Sequence, residues 1–187
     1  MSGRTAIATA HWRRLDVQGT DRCTLSRLDN GWMLVGQATW HENGADNMLT
    51  YDVRCAMNWH CLSADVSGEV GGHDVALRLR CTNQGWALND TLQDCGAECL
   101  DLDLSFTPAT NLFPMRREEI GQAQSARIKA AWLKPDLVSM ERLDQVYTWL
   151  SPGLIRYGST NHQADLSVHP SGFVTHYPGL WEGWIDA

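Results

Sequence analysis

The sequence predicts a mainly β protein, a large antiparallel meander sheet curled as a half-barrel or barrel around a single short α-helix. Three observations carry that expectation. Hairpin-type turn signals recur along the whole length, the segments between them alternate with period two, and there is one good helix start.

The turns come first because they set the strand boundaries. Asp29-Asn30-Gly31, Asn43-Gly44, Gly71-Gly72, Asn83-Gln84-Gly85, Pro152-Gly153 and Ser171-Gly172 are spread through the chain. Asn-Gly and Gly-Gly supply the positive φ angles of tight hairpins without steric cost. Between them, Met33, Val35 and Gln37 oppose Leu34, Gly36 and Ala38, and Val75, Leu77 and Leu79 alternate with Ala76, Arg78 and Arg80. Ile128, Ala130 and Trp132 alternate with Arg127, Lys129 and Ala131 in the same way. Such segments are half-buried strands with one wet face. A meander of them must close on itself or cover its apolar face with another element.

Thr107-Pro108 is the helix start. Thr accepts orphan N–H groups, and Pro suits the first helical position. Ala109, Leu112 and Phe113 then fall at i, i+3 and i+4 on one face. Pro114 disfavours the α region for Phe113, so the helix is expected to stop there after about two turns, directly after a strand from Cys99 to Phe106. Met140, Leu143, Val146, Tyr147 and Leu150 fit either an amphipathic helix or a strand with a bulge near Asp144-Gln145. Periodicity leaves both open.

A chain of 187 residues can bury one sizeable core, and no linker, repeat or charge run divides it, so one domain over residues 1–187 is expected. The formal net charge of −7 and the absence of a basic cluster argue against a nucleic-acid partner. Met1 to Trp12 holds no apolar stretch of signal-peptide length, and no segment suits a bilayer span. A cytoplasmic protein is expected, and six cysteines fit that compartment as free thiols. They lack paired C-x-x-C spacing, and adjacent His60 and Cys61 would point to opposite strand faces. No metal or cofactor is expected. Nine tryptophans against three phenylalanines is unusual; Trp serves core edges and sugar-stacking surfaces equally well, and most of the nine are expected in the core or at the rim.

The chemistry concentrates between Cys99 and Arg117. On the strand, Leu100, Leu102 and Leu104 point one way and Asp101, Asp103 and Ser105 the other, with the two carboxylates about 7 Å apart by strand rise. An open face would make them ordinary solubilising charge; a cavity would make them acids with at least one raised pKa. Of Arg116 and Arg117, expected just beyond the helix on a strand, one would face inward to pair with Asp101 or Asp103 or to hold an anionic ligand group. Asn111 adds a neutral donor and acceptor suited to sugar hydroxyls.

Cys99-Leu-Asp-Leu-Asp-Leu104, Thr107-Pro-Ala-Thr-Asn111 and Pro114-Met-Arg-Arg117 together resemble the core motif of a bacterial family described as glycolipid-binding, formerly a domain of unknown function. Gly85-Trp86, Gln145-Val146-Tyr147 and the run from Gly172 to Leu180 match weaker family elements in the same order. Phe113, Met115 and Glu118-Glu119 depart from the usual pattern. The resemblance implies a large antiparallel sheet curled around a single helix, distantly similar to bacterial lipoprotein-localisation factors, a strand over residues 138–150, dimeric assembly and an acidic pocket. The expected ligand-binding residues are Asp101, Asp103, Thr107, Asn111, Arg116, Arg117, Trp86 and Tyr147.

Binding of a glycolipid or similar sugar-bearing amphiphile, with a role in glycolipid or cell-envelope metabolism, is therefore expected. An apolar half-barrel interior would take the acyl chain; Asp101, Asp103 and Asn111 would bond sugar hydroxyls; Trp86 or Tyr147 would stack on a ring, unless they are plain core. The rival is a glycoside- or glycolipid-processing hydrolase using Asp101 and Asp103. Against it, the two acids of a glycosidase normally face each other across the bond, whereas strand neighbours lie side by side. A third reading is an interaction protein whose exposed sheet face is a dimer surface. No Gly-x-Ser-x-Gly elbow or phosphate loop is present.

Overall fold

The computed structural model describes residues 3–121 and 124–186. Met1 and Ser2, the start of the segment read for a leader, lie outside the described residues. The first half is a run of hairpins: β1 (Arg4–Arg14), β2 (Gln18–Leu28), β3 (Gly31–Glu42), β4 (Ala45–Cys55), β5 (Cys61–Val70), β6 (His73–Thr82), β7 (Gly85–Leu88) and β8 (Thr91–Leu92). The second begins with β9 (Asp101–Leu104), a 3₁₀ turn (Ala109–Asn111) and α1 (Leu112–Arg117). It continues through β10 (Ser125–Leu133), β11 (Met140–Ser151), β12 (Leu154–Ser159), β13 (His162–Val168), β14 (Val174–Tyr177) and β15 (Trp181–Ile185).

All of the strands form one sheet in the order β8-β7-β6-β5-β4-β3-β2-β1-β15-β14-β13-β12-β11-β10-β9. The chain works outward from β1 to one edge, crosses to the far edge at β9, and returns until β15 pairs antiparallel with β1, Trp12 opposite Gly183. Each predicted turn joins two strands. Asn43 and Gly44 (φ 52° and 77°) and Gly71 and Gly72 (φ 60° and 77°) adopt the left-handed conformations that primed hairpin turns demand.

Three features differ from the sequence expectation. β9 runs parallel to β10, with Asp101 opposite Ala130 and Leu104 opposite Leu133, so the sheet is mixed. A parallel pair needs a crossover, and the 3₁₀ turn and α1 supply it. Next, Pro114 does not end the helix. It sits in the first turn of α1, where its missing N–H has no intrahelical acceptor to lose, and the helix runs on to Arg117. Residues 140–151 are a strand, as the resemblance implied, but its irregularity lies between Trp149 and Ser151, against β12, rather than near Asp144.

The sheet is curled but not closed. The 93–100 connection ties its ends together: Cys61 N–H donates to Leu100 O (2.9 Å), Met140 N–H to Gln93 Oε1 (3.0 Å), and Asp94 bridges to Glu141. Inward-facing Cys23, Leu25, Leu34, Leu49, Val53 and Val66 are buried, and Phe106, Leu112, Phe113 and Met115 pack into the same cluster. Full burial of an aliphatic or Phe side chain is worth about 1.5–3 kcal/mol, so this short helix is held by its apolar face rather than by its own propensity. The interior is thus filled by the protein's own side chains, which corrects the expectation of an apolar hollow for an acyl chain. Trp12, Trp40, Trp86 and Trp181 are buried, while Trp184 lies 57% exposed. No helix among the described residues is long and apolar enough to cross a membrane.

Candidate functional site

Strand β9 carries both predicted carboxylates, alternating with the buried side chains of Leu102 and Leu104. Their surroundings differ. Asp101 is 1% exposed and receives the Arg117 fork: Nε at 3.2 Å from each oxygen and Nη2 at 2.7 Å from Oδ2. Burial pushes the Asp101 carboxyl up from its ordinary value, and Arg117 opposes that push without cancelling it. The arginine arrives because it occupies the last turn of α1, where cations suit the helix dipole. This pair pins α1 to β9. Neither group is free for a ligand.

Asp103 has no such partner. It is half-buried, and its Oδ2 accepts the Gln145 Nε2–H at 2.6 Å. Burial pushes its carboxyl up to about 6, with the Gln145 hydrogen bond pulling the other way. Gln145 is 2% exposed, and Tyr147, 1% exposed, donates its hydroxyl to Asn111 Oδ1 (2.8 Å) with a longer approach to Gln145 Oε1 (3.4 Å). Asn111 Nδ2 donates in turn to Pro108 O at 3.1 Å. A continuous polar chain therefore holds Asp103 and Asn111 in place, with Gln145 and Tyr147 behind them.

Asp103 and Asn111 line a cavity of about 400 Å³ whose wall also includes Tyr157, His162, Tyr177 and Trp181. The Tyr157 ring lies 6.1 Å from Tyr177 and 6.2 Å from His162, centroid to centroid. Burial pushes the Tyr157 phenol up to about 12, and the Asp103 charge adds to that shift; Tyr177 moves the same way through burial, Tyr157 and Asp103. Four larger hollows, of about 850, 650, 530 and 450 Å³, lie elsewhere, and of the predicted site residues only Arg116 lines one of them, the 450 Å³ hollow.

The remaining predicted residues fall elsewhere. Trp86 is fully buried, its indole N–H donating to Cys99 O at 2.9 Å, so it is core and not a stacking surface. Tyr147 likewise has no face on the cavity. Thr107 is in the wall, but its hydroxyl turns away: it takes the Ala109 amide at 3.1 Å and bonds Asp21 Oδ2. The expected placement of both arginines on a strand beyond the helix also changes. Arg116 leaves α1 to hold the carbonyls of Pro170 and Ser171 at the β13–β14 turn. With Asp101 sealed, the two carboxylates do not form the open pair that the hydrolase reading requires.

Sequence reading missed Tyr157, Tyr177, Trp181, His162 and Gln145 as site residues. One signal was available: the Pro152-Gly153 turn folds Tyr157 directly opposite Tyr147, ring centroids 5.2 Å apart. It also missed a buried trio. Asp21 of β2 is 2% exposed, and Tyr51 Oη lies 3.1 and 3.0 Å from its two oxygens and 3.0 Å from Thr107 Oγ1. A side chain at Gly36 would collide with the Tyr51 ring, so the trio depends on that glycine. Burial pushes Asp21 up to about 7 against the hydrogen bonds from Thr107 and Tyr51.

Residues 9–183 match the family model described as "Putative glycolipid-binding". The chain belongs to this family. Its fold is shared by the crystal structure of a DUF1089 family protein from Pseudomonas aeruginosa, with a TM-score of 0.72 and 27% identity over 87% of this chain and 91% of that one. No curated protein matches the chain. The family match spans the strands that build the Asp103 cavity.

Proposed function

We propose that this family member binds a glycolipid or similar sugar-bearing amphiphile, with its head group in the Asp103–Asn111 cavity. The observation that carries the reading is the make-up of that wall. A single carboxylate and an amide, both held by buried partners, face aromatic rings in a space the size of a small ligand. Hydroxyls of a sugar pair with Asp103, Asn111, Ser159 and Asn161, while ring C–H faces pack on Tyr157, Tyr177 and Trp181. Trp132, Pro135 and Leu143 give the same wall apolar surface for the start of the lipid part. The family description supports the ligand class.

The six free thiols support a reducing compartment such as the cytoplasm, and exposed Trp184 beside the hollow of about 850 Å³ supports a homodimer there. Calorimetric titration with octyl glycosides tests the binding: saturable heat is expected with the wild type and weaker binding with Asn111→Ala. No heat and no thermal shift from any glycoside of this kind would remove the reading.

A further inference from the structure

Several carboxylates of the described residues are paired with arginines. Arg117 holds Asp101, Arg80 holds Asp65, Arg142 holds Asp144 and Arg156 holds Asp165. Asp21 and Asp103 lack an arginine partner: Asp21 is held by the Tyr51 and Thr107 hydroxyls, whereas half-buried Asp103 receives one amide hydrogen bond and lines the candidate cavity. Among the described residues no Lys or Arg lines its cavity, and His162 in that wall forms no ion pair with it. A carboxylate withdrawn from water without a countercharge is costly unless something supplies one.

The neighbouring walls point to what that something is. Tyr157 and Tyr177 present two rings 6.1 Å apart, with Trp181 beside them. Aromatic faces attract cations within about 6 Å through the ring quadrupole. Trp181 already serves in this way on one side, where the Arg14 guanidinium stands 5.2 Å from its centroid. One carboxylate sharing a cavity wall with tyrosine and tryptophan rings suits an ammonium group, and a neutral polyol leaves the Asp103 charge uncompensated.

Resting on the amphiphile reading above, we infer that the cavity selects a head group bearing a protonated or quaternary amine, such as an amino sugar or a choline-like ester. The ammonium would sit between Asp103 and the Tyr157–Tyr177 rings. Asn111 and the hydroxyls of Ser159 and Thr160 remain for the rest of the head group.

Four compounds sharing one alkyl chain test this on the wild-type protein: octyl glucoside, octyl 2-amino-2-deoxyglucoside, its N-acetyl derivative, and octyltrimethylammonium. The free amine should bind at least roughly tenfold tighter than the glucoside or the N-acetyl compound, as a desolvated cation–π contact with an ion pair implies. Asp103→Asn, with its fold checked by circular dichroism, should close that gap. Equal affinity for all three glycosides would overturn the inference and leave the sugar reading intact. Octyltrimethylammonium binding with no glycoside binding would uphold cation recognition and remove the sugar reading. Silence from all four compounds would remove both.

Discussion

Replacing Asp21 by Asn should change how stability depends on pH more than it changes stability itself. The carboxyl is 2% exposed, is hydrogen-bonded by the Thr107 and Tyr51 hydroxyls and the Arg22 backbone, and is pushed from 3.8 up to about 7 by burial. A raised acid favours folding fully below its unfolded value, and that contribution disappears as pH climbs through the folded value. Each pH unit in between corresponds to about 1.4 kcal/mol, so from pH 5 to pH 8 the wild type should lose about 3 kcal/mol that Asp21→Asn does not lose. Tyr51 is itself pushed well above its usual range, so it stays silent across this window. Urea denaturation of both proteins at half-unit pH steps reads the difference. Other titrating carboxyls, Asp52, Asp101 and Asp103 among them, are common to both proteins and cancel. A wild-type minus variant difference that stays flat within about 0.5 kcal/mol would refute the buried, unpaired carboxyl, since no linkage could hide there.

The packing behind this trio gives a second expectation: Gly36→Ala should lower stability by about 1–3 kcal/mol through overpacking against the Tyr51 ring, read as a fall in Tm. Arg117→Met should cost about 3–5 kcal/mol by leaving Asp101 buried without its countercharge, and adding Asp101→Leu should recover most of that loss, which a double-mutant cycle in urea measures. Binding of octyl 2-amino-2-deoxyglucoside should weaken as pH falls through about 6, because Asp103 then takes a proton and the ammonium loses its partner. His162→Gln should keep that midpoint, separating Asp103 from the histidine in the wall, as calorimetric titration at stepped pH would show.

The hairpins were legible because each is a local event: two or three residues with permitted positive φ decide where β3 turns into β4 or β5 into β6. The parallel β9–β10 pair was not, since nothing within a few residues of Asp101 records that its neighbour will be Ala130. Pro114 misled for a similar reason. The rule that proline stops a helix assumes an established helix before it, and here the helix begins almost at the proline. At the site, alternation put Asp101 and Asp103 on one strand face but could not separate them, since the fate of Asp101 rests on a contact with Arg117 made by the crossover. Trp86 follows the glycine that opens its strand, a setting equally good for core and for ligand, and burial decided it. Asp21 gave no signal because it lies between exposed Thr20 and Arg22, and only the register with Cys23 and Leu25 shows that it faces inward.

The two carboxylates of β9 explain each other. A strand that follows a long connection and precedes a six-residue helix needs anchoring at both ends, and burial alone anchors only Leu102 and Leu104. Asp101 provides the remaining anchor by taking Arg117, which uses up the nearest cation. Asp103, one pleat further along, then meets β11, where Gln145 offers an amide in place of a charge. Substituting Lys or Arg at Gln145 would pair Asp103 and stabilise the strand, but it would fill the wall with the cation that we assign to the ligand. The lack of countercharge at Asp103 is therefore tied to the lock at Asp101: a strand held firmly at one carboxylate can tolerate leaving the other one poised.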